Sequence, residues 1–314
     1  MSAPDEPMRE AREPAAIPAA SDADATSARP SWATFKAALD ARGFHPSRRF
    51  GQNFLLDENM VRAIVRDAGV GPGDFVLEVG AGCGFLSLQL LHAGVDLTAV
   101  EVDLRLAEVV TELLGAHPRF RLIRGDVLES KHTLAAAVVA ALPRTGPWHL
   151  VSNLPYSVAG PVLVNASELE NPPRSMTVLV QHEVALRLAA APGSDDWGPL
   201  SIRLQLDYAP ERTRSVPPGL FWPRPQVDSS VVRLVQRAER WPEGERRAVS
   251  RLVDGLFQRR RQTLLRVLSD LAGDRERAQA WLARTGLDPR ARAEDLDLAS
   301  LRALVAAGAG SLGS

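Results

Sequence analysis

The chain has 314 residues, 45% of them hydrophobic and 24% charged, enough for one large α/β unit and a smaller companion. No apolar run reaches the roughly 18–20 residues that a bilayer span needs, and acidic Met1–Glu13 has neither the apolar core of a secretory signal nor the makeup of an Arg-rich transit peptide. The single cysteine, Cys83, forms no internal disulfide and the six histidines show no zinc-like spacing, so the expectation is a metal-free, cytoplasmic monomer without a membrane partner.

The net charge of −1 hides an uneven distribution. Met1–Arg29 carries six acids against three arginines, whereas Arg237–Arg266 carries nine arginines against four acids. Such asymmetry suits an anionic partner near the C-terminal region. A solvated helical face suits it equally in an arginine-rich chain whose only lysines are Lys36 and Lys131.

In chain order, residues 1–30 are rich in Ala, Pro, Ser and acids without apolar periodicity, and are expected to form a disordered extension. Trp32, Phe35, Ala38 and Leu39 follow at helical spacing until Gly43 and Pro46 interrupt it. A basic loop from Pro46 to Asn53 leads to a helix that Asp57 caps and that turns Met60, Val61, Ile64 and Val65 inward. Strands at 75–79, 96–100, 120–123, 149–152 and 176–180 then alternate with helices, among them 85–92, 104–114 and 183–190. Strands that are apolar throughout predict a Rossmann-like parallel sheet covered on both faces. Segments near 211–215 and 229–235 read as an antiparallel closing hairpin. Beyond Arg240 only helical spacing survives, carried by Leu252, Leu256, Leu264 and Leu268, then by Trp281, Leu282, Leu301 and Leu304. The expected organisation is an extension (1–30), an α/β domain (31–237) and a small all-helical domain (238–314).

Glu78-Val79-Gly80-Ala81-Gly82-Cys83-Gly84 joins the first of these strands to a helix. Glycines there allow a tight turn and a close backbone approach to a ligand. A dinucleotide fingerprint would place glycine at position 85, where the chain has Phe85. The G-x-G-x-G spacing instead admits an adenosyl amino acid with no pyrophosphate. Glu101, at the end of the second strand, suits both ribose hydroxyls, and Asp126, after the third, suits an adenine amino group. Each acid alone would equally serve as a helix cap, but together they mark the carboxyl ends of parallel strands. Cys83 reads as a small residue packed in the loop.

The fourth strand ends at Asn153-Leu154-Pro155-Tyr156. An exocyclic amine of adenine is a poor nucleophile because its lone pair is delocalised into the ring. The Asn153 side-chain oxygen and the Leu154 carbonyl are two acceptors that could hold its hydrogens and favour an attacking geometry. Pro155 stiffens the turn, and Tyr156 offers a flat face to a base that has left its stack. A C5-cytosine methyltransferase would need a nucleophilic cysteine after proline, and none is present. The alternative is an ordinary proline turn with an aromatic residue in the core.

Phe50-Gly-Gln-Asn-Phe-Leu55, Glu78–Gly84, Asn153–Tyr156 and Phe221-Trp-Pro-Arg-Pro-Gln-Val-Asp-Ser229 together resemble the KsgA/RsmA family of small-subunit (16S) rRNA adenine dimethyltransferases. The resemblance runs from about Phe44 into the helical end. It implies a class I methyltransferase sheet, S-adenosylmethionine as cofactor, and transfer of four methyl groups to two adjacent adenosines near the rRNA 3′ end, on a pre-assembled 30S subunit. It further implies cofactor contacts from Asn53, Leu55, Gly80, Gly82, Glu101, Asp126 and Asn153, although burial in the core accounts equally for Leu55. Phe221 would be a second face for the target base, or a core residue. Arg48, Arg49 and Arg259-Arg260-Arg261 would meet phosphates. Gln226 and Gln262 depart from the family's usual lysines, and the acidic extension is not typical of it.

Overall fold

The computed structural model describes residues 32–47 and 50–309; the expected extension at 1–30 lies outside them, as do Arg48 and Arg49. Helices α1 (Trp32–Asp40) and α2 (Glu58–Ala68) flank a two-residue strand, β1 (Phe54–Leu55). The α/β unit continues with β2 (Phe75–Val79), α3 (Phe85–His92), β3 (Asp96–Glu101), α4 (Leu104–Leu114) and β4 (Phe120–Arg124). A small hairpin, β5 (Leu128–Ser130) and β6 (Thr133–Leu134), precedes α5 (Ala136–Ala141), β7 (His149–Asn153), α6 (Ala159–Ser167) and β8 (Ser175–Gln181). Then come α7 (His182–Leu188), α8 (Pro199–Gln205), β9 (Tyr208–Val216), β10 (Phe221–Trp222) and β11 (Ser229–Gln236). The tail holds α9 (Glu243–Gln258), α10 (Leu264–Ala272), α11 (Arg275–Thr285) and α12 (Leu298–Ala306).

Seven strands form the main sheet in the order β4-β3-β2-β7-β8-β11-β9. The first five are parallel, and β11 runs antiparallel between β8 and β9, as the closing hairpin predicts. Strand order reverses between β2 and β7, which opens a crevice beyond their carboxyl ends. Strands β2, β7 and β8 bury residues on both faces, which is why they read as continuous apolar runs.

Local chemistry sets the helix ends that frame this crevice. The Asp57 side chain accepts the Met60 N–H at 2.7 Å, and Gly69 closes α2 at φ +64°. One stripe of α2, with Val61, Ile64 and Val65, is buried against the sheet as predicted. Helices α6 and α8, which the sequence reading does not isolate, carry proline within their first turns, Pro161 and Pro199, where a missing N–H costs nothing.

The helical tail is not packed as a separate unit. Ala190, Trp197, Ile202 and Leu206, all before residue 238, share one core with Val249, Leu252, Leu264, Trp281 and Leu301. The Trp197 indole N–H donates to the Leu296 carbonyl at 2.9 Å. Nearby, buried Asp207 accepts from Arg246 at 3.1 Å. Replacing Trp197 by Ala should therefore cost roughly 3–5 kcal/mol in chemical denaturation, as for other large buried aromatics. A cost under about 1 kcal/mol would show that the two regions do not share a core.

Candidate active site

The turn after β2 holds Gly80, Gly82 and Gly84 at φ +77°, +59° and +90°, conformations that favour glycine. The N–H groups of Gly80 and Ala81 both donate to the Val100 carbonyl, at 2.8 and 3.1 Å, which ties the turn to β3. Space is as restrictive as torsion. A Cβ on Gly80 would lie 3.3 Å from Pro155, and one on Gly82 would lie 3.2 Å from the Phe54 ring. The glycine turn is thus wedged between the Asn153–Tyr156 turn and the segment leading into β1. Between these three segments lies a cleft lined by the glycine turn, by Glu101, by Asn53 to Leu55 and by Asn153 to Tyr156.

Glu101 stands at its floor, 4% exposed. Its Oε2 accepts the Gly82 N–H at 2.7 Å and its Oε1 the Asp103 N–H at 2.8 Å. Burial pushes this carboxyl up to about 7 even though both N–H groups favour its charged form. Behind it, burial pushes Glu78 up to about 8 despite a hydrogen bond from the Ser87 hydroxyl, and the negative charge of Glu101 adds to the rise. Burial also pushes the Cys83 thiol up to about 12, so it stays protonated and packed, as its sequence setting suggests. Asp126 is exposed, with Oδ1 accepting the Leu128 N–H at 2.9 Å. It lines an adjoining hollow that meets the main cleft at Phe50, Gly80, Val102 and Pro155.

The Asn153 amide nitrogen donates to the Asn53 carbonyl at 3.1 Å. A carbonyl can only accept, so this bond fixes the amide's orientation and leaves Oδ1 as the acceptor of a side chain that lines the cleft. The Asn53 side chain in turn donates to the Gly51 carbonyl at 3.1 Å. Leu154 is anchored by its N–H to the Leu179 carbonyl at 3.1 Å, and the Pro155 carbonyl accepts from Val158 at 3.1 Å. Tyr156 is half-buried, its hydroxyl 3.1 Å from Ser229 Oγ. Burial raises the pKa of this phenol, so it stays neutral.

The sequence-derived site residues therefore separate into groups. Asn53, Leu55, Gly80, Gly82, Glu101, Asn153, Leu154, Pro155 and Tyr156 all line the main cleft, and Asp126 the adjoining hollow. Leu55 is at once a cleft residue and a core residue. Phe221 is 4% exposed, pairs with Leu55 across the β1–β10 ladder and belongs to the core, as the core-residue alternative expects. Arg260 and Arg261 are exposed in the turn between α9 and α10, whereas Arg259 is ion-paired with Asp270. Gln226 and Gln262 are exposed.

Two residues that line both hollows carry no assigned role in the sequence reading. Phe50 is one, and Val102, 39% exposed at the end of β3, is the other. The signal for Val102 is an exposed β-branched residue directly after Glu101. For Phe50 it is an aromatic residue in an otherwise polar loop.

The profile of the ribosomal RNA adenine dimethylase family matches residues 43–307. The ribosomal RNA small subunit methyltransferase A of Phenylobacterium zucineum is 40% identical over 272 residues, covering 86% of this chain and 91% of the relative. The protein of the same name from Cutibacterium acnes is 39% identical, covering 88% of this chain and 93% of the relative. Among solved structures, the fold resembles a dimethyladenosine transferase from Plasmodium falciparum (TM-score 0.64, 19% identity, 80% of this chain and 95% of that one). It also resembles the 23S rRNA methyltransferase ErmE (TM-score 0.61, 24% identity, 81% and 98%).

The raised Glu101 pKa gives a test of the cleft. Only the ionised carboxylate is a full acceptor for ribose hydroxyls, so affinity for S-adenosylhomocysteine should fall as pH drops below about 7, by at most about tenfold per unit. Calorimetric titration between pH 6 and 8 measures this, and Glu101→Gln should flatten the profile. A flat profile in the unmodified protein would exclude Glu101 from the ligand.

Proposed function

The chain belongs to the ribosomal RNA adenine dimethylase family, and on that premise we propose that it dimethylates the 6-amino groups of two adjacent adenosines in the 3′-terminal hairpin of 16S rRNA. It is an S-adenosylmethionine-dependent rRNA adenine methyltransferase. The residues present fit the cofactor: the glycine turn leaves a cradle that Cβ atoms at Gly80 and Gly82 would narrow, and buried Glu101 keeps lone pairs for hydroxyl donors. We assign Asn53, Leu55, Gly80 and Gly82 to its walls, Glu101 to its ribose and Asp126 to its adenine. Once bound, the cofactor supplies an electrophilic methyl group.

The observation that carries the reading is the oriented Asn153 amide. With its nitrogen committed to the Asn53 carbonyl, Oδ1 is the acceptor that we assign to the target amine. In our reading Asn153 Oδ1 and the Leu154 carbonyl take the two amino hydrogens of adenine and draw its lone pair out of conjugation. The Asn153 amide is oriented before the base arrives, so that acceptor requires little reorganisation. Pro155, held against Gly80, restrains the turn. Tyr156, held by Ser229, offers its ring to the flipped base. The methylated amine is acidic enough to lose its proton to water, so no strong base is required.

The small-subunit target is supported by relatives of that name at 39–40% identity over about nine-tenths of their length. ErmE, at 24% identity, shares the fold only. Arg260 and Arg261, together with Arg48 and Arg49, are our phosphate contacts, acting on RNA within the 30S subunit as a cytoplasmic monomer. Arg259 contributes less, since Asp270 already neutralises it.

Two results test this reading. Asn153→Ala should lower methyl transfer to unmethylated 30S particles about 10²–10³-fold, the scale for removing one transition-state contact. S-adenosylhomocysteine should still bind; unchanged turnover would sink the amine-holding role. In cells lacking the protein, mass mapping of rRNA should show two adjacent dimethyladenosines replaced by adenosine in 16S rRNA. A loss confined to 23S rRNA would reassign the target.

A further inference from the structure

Asp103 lies two residues beyond Glu101, 4% exposed, and binds more donors than a helix cap requires. Its Oδ1 caps α4 through the Arg105 N–H at 3.1 Å and accepts Arg105 Nε at 3.1 Å. Its Oδ2 takes Arg105 Nη2 at 2.8 Å and, from outside the helix, Gln52 Nε2 at 3.0 Å. Gln52 belongs to the segment that closes one side of the cleft and immediately precedes Asn53, whose carbonyl orients Asn153. The Gln52 amide cannot turn over freely, because its Oε1 accepts the Ser47 N–H at 2.6 Å. Its Nε2 is therefore committed to an acceptor at Asp103. Burial alone would raise the Asp103 pKa, but the hydrogen bonds from Arg105 and Gln52 outweigh it and hold the carboxyl below its ordinary range. The latch thus carries a full charge near neutrality.

The Arg105 guanidinium also lies 4.9 Å from the centre of the Phe44 ring, and Phe44 meets Phe54 edge-on at 6.0 Å. Both ends of the segment are therefore tied to the start of α4. The same Asp103 donates its N–H to Glu101, so the carboxylate at the cleft floor and the segment at its side are registered to one residue.

We propose that Gln52 and Asp103 are positioning residues that latch the Phe50–Phe54 segment over the bound cofactor and set how long it stays. The inference rests on the cofactor and not on the RNA target. A charged acceptor makes the bond strong, and opening it also frees Asn53 from its place against Asn153. Removing the latch leaves the cleft's floor intact and loosens its side, so the effect falls on dissociation more than on association.

The test uses the full chain and S-adenosylhomocysteine without RNA, measuring Kd by calorimetry and the dissociation rate by stopped flow. Gln52→Ala should weaken binding on the order of tenfold, mostly through faster release. Gln52→Glu should weaken it further, because two carboxylates then face each other. The double variant Gln52→Glu/Asp103→Asn should bind more tightly than Gln52→Glu alone, since an amide at position 103 can donate to the new carboxylate while still capping α4. Equal Kd and release rates across the Gln52 variants would overturn the latch, as would a double variant no better than Gln52→Glu. Thermal melting of each variant checks that the fold survives. A failure to methylate 30S particles would overturn the target and leave these binding results standing, and the reverse also holds.

Discussion

The hydrogen bond from the Asn153 amide to the Asn53 carbonyl joins residues 100 positions apart, and the geometry of the proposed reaction centre depends on it. Without it the amide could present either its nitrogen or its oxygen to the cleft, and only the oxygen can hold an amino hydrogen. The bond requires the segment before β1 to lie against the end of β7. That placement is secured by the β1–β10 ladder, by Phe54 against Gly82, and by Gln52 on Asp103. One acceptor in the cleft thus draws on four stretches of chain.

Much of this was legible in the sequence, for a physical reason. The parallel strands are buried on both faces and so announce themselves as apolar runs bounded by turns; β2, α3 and α4 fall where the pattern places them. The glycine turn, Glu101 and the Asn153–Tyr156 turn were legible because each sits at a strand end, where sequence order already implies nearness in space. What stayed hidden has the opposite character. The β1–β10 ladder is two residues long, too short to show a period, and its partners are far apart in the chain. Phe221 carries an aromatic side chain that suits a base and a core equally, and its cross-strand pairing with Leu55 leaves no local trace in the sequence. Gln52 and Asp103 carry no sequence signal of their pairing because they lie 51 positions apart and nothing local links them.

The buried carboxyls at and beside the cleft differ in what surrounds them. Two carboxyls at the floor, Glu78 and Glu101, are pushed by burial toward their neutral forms, while Asp103 is kept charged by a guanidinium and an amide. Asp103 holds the start of α4 and Gln52 together through an ion pair and a hydrogen bond that need no ligand. Burial prevails at Glu78 and Glu101, whereas at Asp103 the hydrogen bonds together outweigh it.

Because Trp197 and its neighbours between α7 and α8 share a core with the tail, the exposed arginines at 260 and 261 are carried by helices packed on the α/β unit and not by a free linker. A tail on a flexible linker would search a volume and accept any nearby phosphate. A tail fused through a tryptophan-lined core behaves as a ruler. On the proposed assignment of Arg260 and Arg261 to phosphates, the separation between a phosphate contact and a target base becomes a property that the RNA must match.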